Sequence, residues 1–247
     1  MPEAAVQDDR TPRSADGGAT TAPAAAWEAL ALGLPEAHRF MVAGRANEAL
    51  AAFRRLPLLT RSDLAALAEA QLLRLGLDVF MVEAFLRRHG FLQDLDPSDR
   101  RAMDAAGDLL SAALDIPPIL TYPLYILENP RQPGSLRRFT PLAAEARFIN
   151  MHRRIEEEMA EILPLLEQLP IAPDPVAAVA AALPVLGAGF RRINRCMAAF
   201  RSPTRMPQGD FFHGFRPYYD SKKDADGGVL LEGPSGLQSA GYRLLAM

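Results

Sequence analysis

Residues 140–169 read TPLAAEARFINMHRRIEEEMAEILPLLEQL, and the spacing of their apolar side chains decides the fold class. Phe148, Ile155 and Ile162 recur at intervals of seven, with further apolar residues three or four positions from each. This is the spacing of one face of an α-helix. Thr140 and Pro141 form a typical helix start. The stretch therefore predicts one long helix with a single buried face.

The rest of the chain predicts the same fold class, an all-α multi-helix bundle. Alanine and leucine dominate, β-branched residues are sparse, and no alternating apolar and polar pattern is present. Further helix starts, each marked by proline or a capping residue, are expected at Pro35, Thr60, Asp96 and Asp174. We expect Gly76 to divide the second helical block and Gly90 to end it, because glycine is unfavourable inside helices and common after them.

Composition divides the chain into four parts. Residues 1–26 carry almost no large apolar side chains and predict a disordered tail. Residues 27–115 predict an N-terminal helical domain. Residues 116–139 contain five prolines among many apolar residues, which predicts a connector pressed against a core. Residues 140–247 form the second helical part.

Several functional classes are disfavoured by composition. The 27 basic and 30 acidic residues are nearly balanced, so neither nucleic acid nor an anionic membrane is an expected partner. We find no signal peptide and no run of apolar residues that predicts a membrane span, so the expected location is the cytoplasm. Cys196 is the one cysteine, and its helical context favours a buried thiol over a nucleophile.

Residues 210–220, DFFHGFRPYYD, hold five of the eighteen aromatic residues of the chain, with Arg216 among them. An aromatic wall beside a fixed cation is what a flat ligand with an anionic group requires. A short helix that ends near Arg216 would place Phe212 on the same face and Phe211 beside it. The alternative is an aromatic core cluster next to a surface arginine.

Two further features could contribute to such a pocket. His152 lies within the apolar stripe of the long helix, where it is either a hydrogen-bonded core residue or a catalytic one. The turn at residues 233–236, GPSG, precedes a predicted helix, with Ser235 and Gln238 at capping-box spacing. Free N–H groups at such a helix start favour an anion or a polar ligand atom.

Several segments together resemble the superfamily of haem-dependent dioxygenases that contains indoleamine 2,3-dioxygenase and tryptophan dioxygenase. They are IPPILTYPLYILENP, EARFINMHRRIEEE, DFFHGFRPYYD and GGVLLEGPSGLQS, in the family's order and over about residues 60–247. The RPYYD and LEGPSG pieces are most similar to the monodechloroaminopyrrolnitrin synthase-like branch.

The resemblance implies a role for nine residues. Phe211 and Phe212 match aromatic residues that contact the indole ring, and Arg216 matches the arginine that binds the substrate carboxylate. Tyr122 matches an aromatic residue above the haem, on the substrate side. Phe148 and Ile149 fall on apolar positions of the distal pocket. His152 falls where tryptophan dioxygenases place a histidine. Ser235 and Gly236 match the edge of the small-residue loop over the haem.

The resemblance also implies a cofactor, haem b, and two substrates, an indole amino acid and dioxygen. The family's proximal haem ligand is a histidine downstream of the small-residue loop, and no histidine of this sequence matches it. We therefore expect the chain to be a fragment or a truncated product, with its metal ligand unknown. The alternative is a haem-free helical relative that binds a small aromatic acid or acts as an interaction protein.

Overall fold

The computed structural model of the chain describes residues 21–132, 134–223 and 226–235. Within these ranges the protein is all-α, as the sequence predicts. The α-helices are α1 (Ala22–Val42), α2 (Ala46–Ala51), α3 (Arg61–Ala65), α4 (Glu69–Arg88), α5 (Pro97–Leu114), α6 (Ala143–Gln168) and α7 (Pro175–Phe200). Two short antiparallel strands, β1 (Lys222–Lys223) and β2 (Val229–Leu231), pair with Lys222 opposite Leu231 and Lys223 opposite Val229.

Helix α1 begins earlier than the sequence predicts. Residues 22–26, expected to belong to the disordered tail, form its first turns, while residues 1–20 of that tail lie outside the described ranges. Pro35 lies inside α1 and does not begin a helix. The helix continues past it because Trp27, Ala31 and Leu34 are all buried on one face, and this packing outweighs the hydrogen bond that proline removes.

Helix α4 forms the centre of the molecule. The predicted start at Thr60 is confirmed, because the Thr60 and Asp63 side chains form a capping box, but that helix is short. The break falls at residues 66–68, so the predicted division at Gly76 was wrong. A Cβ at Gly76 would lie 3.0 Å from Leu114 Cδ1, so this glycine permits the close packing of α5 on α4. The predicted end at Gly90 is confirmed by its positive φ of 74°.

Residues 116–139 pack into the core, as the sequence predicts. The side chains of Leu120, Tyr125, Ile126 and Phe139 are all buried. Residues Pro123–Leu127 form a π-helical turn, in which the Glu128 N–H donates to the Pro123 carbonyl at 3.1 Å. One buried cluster continues from α1 through this segment to Tyr219, so the parts before and after it share a core.

Helices α6 and α7 form an antiparallel hairpin with a second, smaller core around Ile155, Met159 and Ile162. The predicted start of α7 is confirmed, since Asp174 Oδ1 accepts the Ala177 N–H at 3.0 Å. Much of α7 is exposed, including Val176 and Leu183. By length and composition, Pro175–Ala198 is apolar enough to cross a membrane, with 11% of the window buried, so the expectation that no stretch could do so does not hold for α7.

One charged residue of α6 outside its apolar stripe is not solvated. Arg153 is buried. Its guanidinium donates to the carbonyls of Ile126, at 2.7 Å, and Asn129. A buried cation needs hydrogen-bond acceptors, and the carbonyls of residues 116–139 that are not used in a regular helix provide them. These bonds attach α6 to the connector.

Candidate functional site

Five of the sequence-predicted site residues meet in one place, from three separate segments. The His152 ring lies 4.1 Å from Phe148 and 5.9 Å from Tyr122, measured between ring centroids. Phe211 lies 5.8 Å from Phe148 and 5.0 Å from Phe212. We call Tyr122, Phe148, His152, Phe211 and Phe212 the aromatic cluster. These distances are typical of tilted and edge-to-face ring pairs.

Both loops that supply the cluster contain a π-helical turn. Tyr122 directly precedes the turn at Pro123–Leu127, and Phe211 and Phe212 lie in the turn Asp210–Phe215. In the second turn the Arg216 N–H donates to the Phe211 carbonyl, five residues back. This wider turn places Phe211 rather than Phe212 one turn before Arg216. Single π turns of this kind occur frequently at functional sites.

The hydrogen bond of His152 fixes the protonation of its ring. Nδ1 lies 3.0 Å from the Phe148 carbonyl, which can only accept, so Nδ1 carries the proton. Burial lowers the pKa of His152, so the ring is neutral at neutral pH. Nε2 is then the unprotonated nitrogen, which can accept a hydrogen bond from a ligand N–H.

Tyr122 is anchored by a carboxylate of α6. Its hydroxyl donates to Glu156 Oε1 at 2.8 Å, and its side chain is buried. Glu156 lies one turn after His152, so one face of α6 fixes both the tyrosine and the histidine. The sequence gives no sign of this pairing, because Tyr122 and Glu156 are 34 residues apart.

Ile149, Arg216 and the cluster residue Phe212 differ in how far they are exposed. Ile149 is fully buried within the main core. Phe212 is 57% exposed and forms the outer edge of the cluster. Arg216 is exposed, with its guanidinium carbon 5.7 Å from the Tyr219 ring centroid. Its side chain forms no ion pair with a carboxylate in the described part of the chain, which leaves it available to an acidic ligand.

The turn at residue 233 is pressed against the RPYY segment. A Cβ at Gly233 would lie 2.1 Å from the Tyr219 carbonyl oxygen, so only glycine fits. Ser235, half-buried, follows this contact by two residues. Gly236 and the predicted helix after it lie outside the described residues.

The two tyrosines of RPYYD are core residues and not pocket walls. Tyr218 is buried, and its hydroxyl lies 2.8 Å from His38 Nδ1 and 2.9 Å from His89 Nε2. Burial lowers the pKa of His38, and burial lowers that of His89 to about 4, with the charges of His38 and Arg88 adding to the effect. Sequence reasoning missed this His38–Tyr218–His89 group, and no local pattern could have found it, since the pairs are 180 and 129 residues apart.

Tyr219 belongs to a second buried hydrogen-bonded chain. Its hydroxyl donates to the Tyr125 hydroxyl at 3.0 Å, which donates to Glu145 Oε1 at 2.6 Å. Glu145 also accepts from the Thr140 N–H and hydroxyl, each at 2.7 Å. Burial raises the pKa values of Tyr125, Tyr219 and Glu145. This chain ties residues 210–220 to the connector and to the start of α6.

We identify no axial ligand for haem among the described residues. His38 and His89 each direct a ring nitrogen to Tyr218, and His213 is exposed. None of the four cavities that we identify in the described part of the chain has a histidine in its wall. Nor does that part contain three histidine, cysteine, aspartate or glutamate side chains arranged to hold a metal ion. The haem ligand that the resemblance implies is therefore not identified among the described residues.

None of those four cavities is lined by the aromatic cluster, whose rings pack on one another. The half-buried Phe211 and the exposed Phe212 are its outermost rings. A scan against protein-family models finds no match for the chain, and a search of curated proteins finds none either.

Proposed function

We propose that this protein binds tryptophan or a related indole amino acid at the aromatic cluster and oxidises it with dioxygen and haem b. The observation that carries the proposal is the meeting of Tyr122, Phe148, His152 and Phe211. The resemblance to haem-dependent dioxygenases assigns each of them to the substrate side of the site. Their convergence is what that resemblance requires, since they come from segments far apart in the chain.

Three contacts would hold the substrate. The indole ring stacks against Phe211, and its N–H donates to Nε2 of the neutral His152. The substrate carboxylate pairs with the guanidinium of Arg216, a bidentate contact that orients the ring. The Phe212 side chain, exposed at the outer edge of the cluster, moves to admit the ring. The same apolar side chains exclude water from the bound ring.

Haem, when bound, supplies the activation of dioxygen. Its part in the proposal rests on the resemblance alone. The test is reconstitution of the purified protein with haem, followed by absorption spectroscopy. The proposal predicts a Soret band that shifts when carbon monoxide is added. If the protein takes up no haem, the oxidative half of the proposal fails for this chain.

Substrate binding is tested separately by titrating tryptophan in a calorimeter. We expect Arg216→Ala to weaken tryptophan binding by about 2 kcal/mol, the usual value for a lost hydrogen bond to a charged group. Phe211→Ala should weaken it as well. Arg101, exposed on α5, provides a matched control, and Arg101→Ala should bind like the wild type. Unchanged affinity in Arg216→Ala would remove this arginine from the site.

A second candidate function is a haem-free protein that binds a small aromatic acid. It is favoured by the hydrogen bonds of His38 and His89 to Tyr218, because these bonds give both histidines a structural role. The two candidates share the aromatic cluster and differ in the cofactor. Tryptophan binding that depends on Phe211 and Arg216, together with no haem uptake, would select this second candidate.

A further inference from the structure

A cavity of about 450 Å³ lies between α6, α7 and the turn that follows α7. Its floor contains Met151, Cys196 and the buried Met206. Its other lining residues are Asn150 and five arginines, Arg147, Arg154, Arg192, Arg195 and Arg205. The volume falls in the usual range of small-molecule sites. We call this the arginine cavity.

The positive charge of the arginine cavity is largely uncompensated. Arg192 is paired with Glu158 and Glu161, and these carboxylates neutralise it. Arg147, Arg154, Arg195 and Arg205 form no ion pair with a carboxylate in the part of the chain that the structure describes. No acidic side chain lines the wall. Four like charges around one cavity repel one another, and an anion in their midst removes this repulsion.

Two of the arginines, Arg147 and Arg192, are held in place by the fold. The Arg147 Nε–H donates to the Arg205 carbonyl at 2.6 Å, which draws the turn after α7 onto α6. In that turn the N–H groups of Arg205 and Met206 donate to the Ser202 carbonyl at 3.0 and 2.9 Å. The adjacent Met206 is anchored in the main core. Arg192 is fixed by its two carboxylates, so the cavity wall is partly organised before any ligand arrives.

We propose that the arginine cavity is a binding site for a phosphate group carried on an organic molecule with an apolar part. A phosphate monoester carries between one and two negative charges at neutral pH and three acceptor oxygens, and the planar guanidinium matches its geometry. A carboxylate carries one charge and would leave most of the arginines uncompensated. The methionine and cysteine side chains of the floor accept the apolar part of the molecule.

The site is distinct from the aromatic cluster, although both use α6. Arg147 and Met151 each directly precede a member of the cluster, Phe148 and His152, and therefore point about 100° away around the helix. The proposal does not depend on the proposed function. Binding of tryptophan and of a phosphate ester can be measured independently in the same variants.

The test compares phenyl phosphate with benzoate, which has the same ring and one charge. We expect the wild-type protein to bind phenyl phosphate about tenfold more tightly than benzoate, since the dianion satisfies more arginines. The double variant Arg154→Gln/Arg195→Gln should lose about tenfold or more of its phenyl phosphate affinity. Tryptophan affinity should be unchanged in it.

The matched control is Arg61→Gln/Arg101→Gln, which removes two exposed arginines outside the cavity. Equal losses in both double variants would mean that phenyl phosphate responds to net charge alone, and would overturn the proposal.

A second readout uses the wild type only. Cys196 is the one cysteine of the chain and lines the cavity, so phenyl phosphate should slow its reaction with a thiol reagent. Labelling at an unchanged rate would also overturn the proposal.

The phosphate could belong to a soluble ester or to a lipid headgroup, and vesicles distinguish the two. The lipid source is included because α7 exposes Val176 and Leu183 along the same hairpin. Co-sedimentation with phosphatidic acid vesicles but not with phosphatidylcholine vesicles, lost in Arg154→Gln/Arg195→Gln, would identify a lipid. Binding of phenyl phosphate without co-sedimentation would identify a soluble ester. Binding of neither probe overturns the site.

Discussion

At the scale of single residues, Tyr218 shows how a shared hydroxyl constrains two histidines. The hydroxyl has one proton, so it donates to one of His38 and His89 and accepts from the other when both rings are neutral. If both rings were protonated, each would only donate, and the tyrosine proton would lose its acceptor. The group is therefore stable only while at least one ring is neutral, and burial favours that state.

The first prediction concerns the pH dependence of His89. Its pKa is about 4 in the folded protein and 6.5 in the unfolded reference, so the unfolded state binds more protons between these values. Its contribution to stability is therefore fully present above pH 6.5, falls as the pH drops, and levels off below about pH 4. In urea unfolding, the stability difference between wild type and His89→Gln should shrink from pH 7 to about pH 4.

A control for this prediction is His213→Gln, because His213 is exposed and outside the Tyr218 group. The unfolding free energy of this variant should change with pH in the same way as that of the wild type. A difference between wild type and His89→Gln that stays constant with pH would show that protonation of His89 is not linked to unfolding.

The second prediction concerns the buried ion pair of Arg137 and Asp78. Arg137 Nε lies 2.7 Å from Asp78 Oδ1, and both side chains are almost completely buried. Arg137→Met leaves the carboxylate without its partner and should cost about 3–5 kcal/mol of unfolding free energy. In Arg137→Met/Asp78→Leu no such charge remains, so part of that loss should be recovered. Urea unfolding measures these two variants and the single variant Asp78→Leu. A double variant that loses the sum of the two single losses would show that the pair is not coupled.

The residues that the sequence could predict are those whose signal is local. His152 and Phe148 stand four apart in a helical stripe, and Phe211 stands in an aromatic run, so spacing alone singled them out. The partners of Tyr218 and of Tyr122 lie on other elements, and no pattern within one segment encodes them. The burial of Arg153 could not be predicted for the same reason, because it depends on connector carbonyls that only the folded chain brings near.

At the scale of elements, packing decided where helices break. Pro35 and Gly76 are both unfavourable inside helices, yet α1 and α4 continue through them. Each helix buries a face against neighbours, and this outweighs a local cost of about 1 kcal/mol for glycine and about 3 for proline. Conversely, capping signals at Thr60, Asp96 and Asp174 were reliable because a cap is formed by side chain and backbone of the same turn.

The third prediction tests the packing of the α6–α7 hairpin with two neighbouring glycines. A Cβ at Gly189 would lie 2.5 Å from Ile162 Cγ2, and Ile162 is fully buried. Gly189→Ala should therefore lower the unfolding free energy by about 1–3 kcal/mol through overpacking. At Gly187 the nearest atom is the end of the flexible Arg191 side chain, at 3.4 Å.

Gly187→Ala is the matched control, since it adds the same methyl group to the same helix. It should be neutral or stabilise the protein by up to about 1 kcal/mol, because alanine is the better helix former. Thermal or urea unfolding measures both variants. Equal effects of the two substitutions would mean that Ile162 moves aside and that the hairpin is not tightly packed at Gly189.

At the scale of the whole molecule, the two cores differ in how well they are supported. The main core joins α1, α4, α5, the connector and the segment of Tyr218 and Tyr219. The second core is formed mainly by α6 and α7 facing each other. Twelve consecutive residues of α4 are buried, whereas α7 leaves most of its surface exposed. The main core is therefore covered by packed elements on several sides, whereas each helix of the hairpin core packs mainly against the other.

The fourth prediction follows from this difference and concerns hydrogen exchange of backbone amides. Regions with few buried contacts open at lower free energy than the global unfolding of the protein. Amides of α7 should therefore exchange with lower protection than those of α4, as measured by mass spectrometry of peptic peptides. Gly189→Ala should speed exchange in α7 and leave α4 unchanged, because the strain it adds lies within the hairpin core. Equal protection of α4 and α7, or a parallel loss in both, would show that the two cores unfold as one unit.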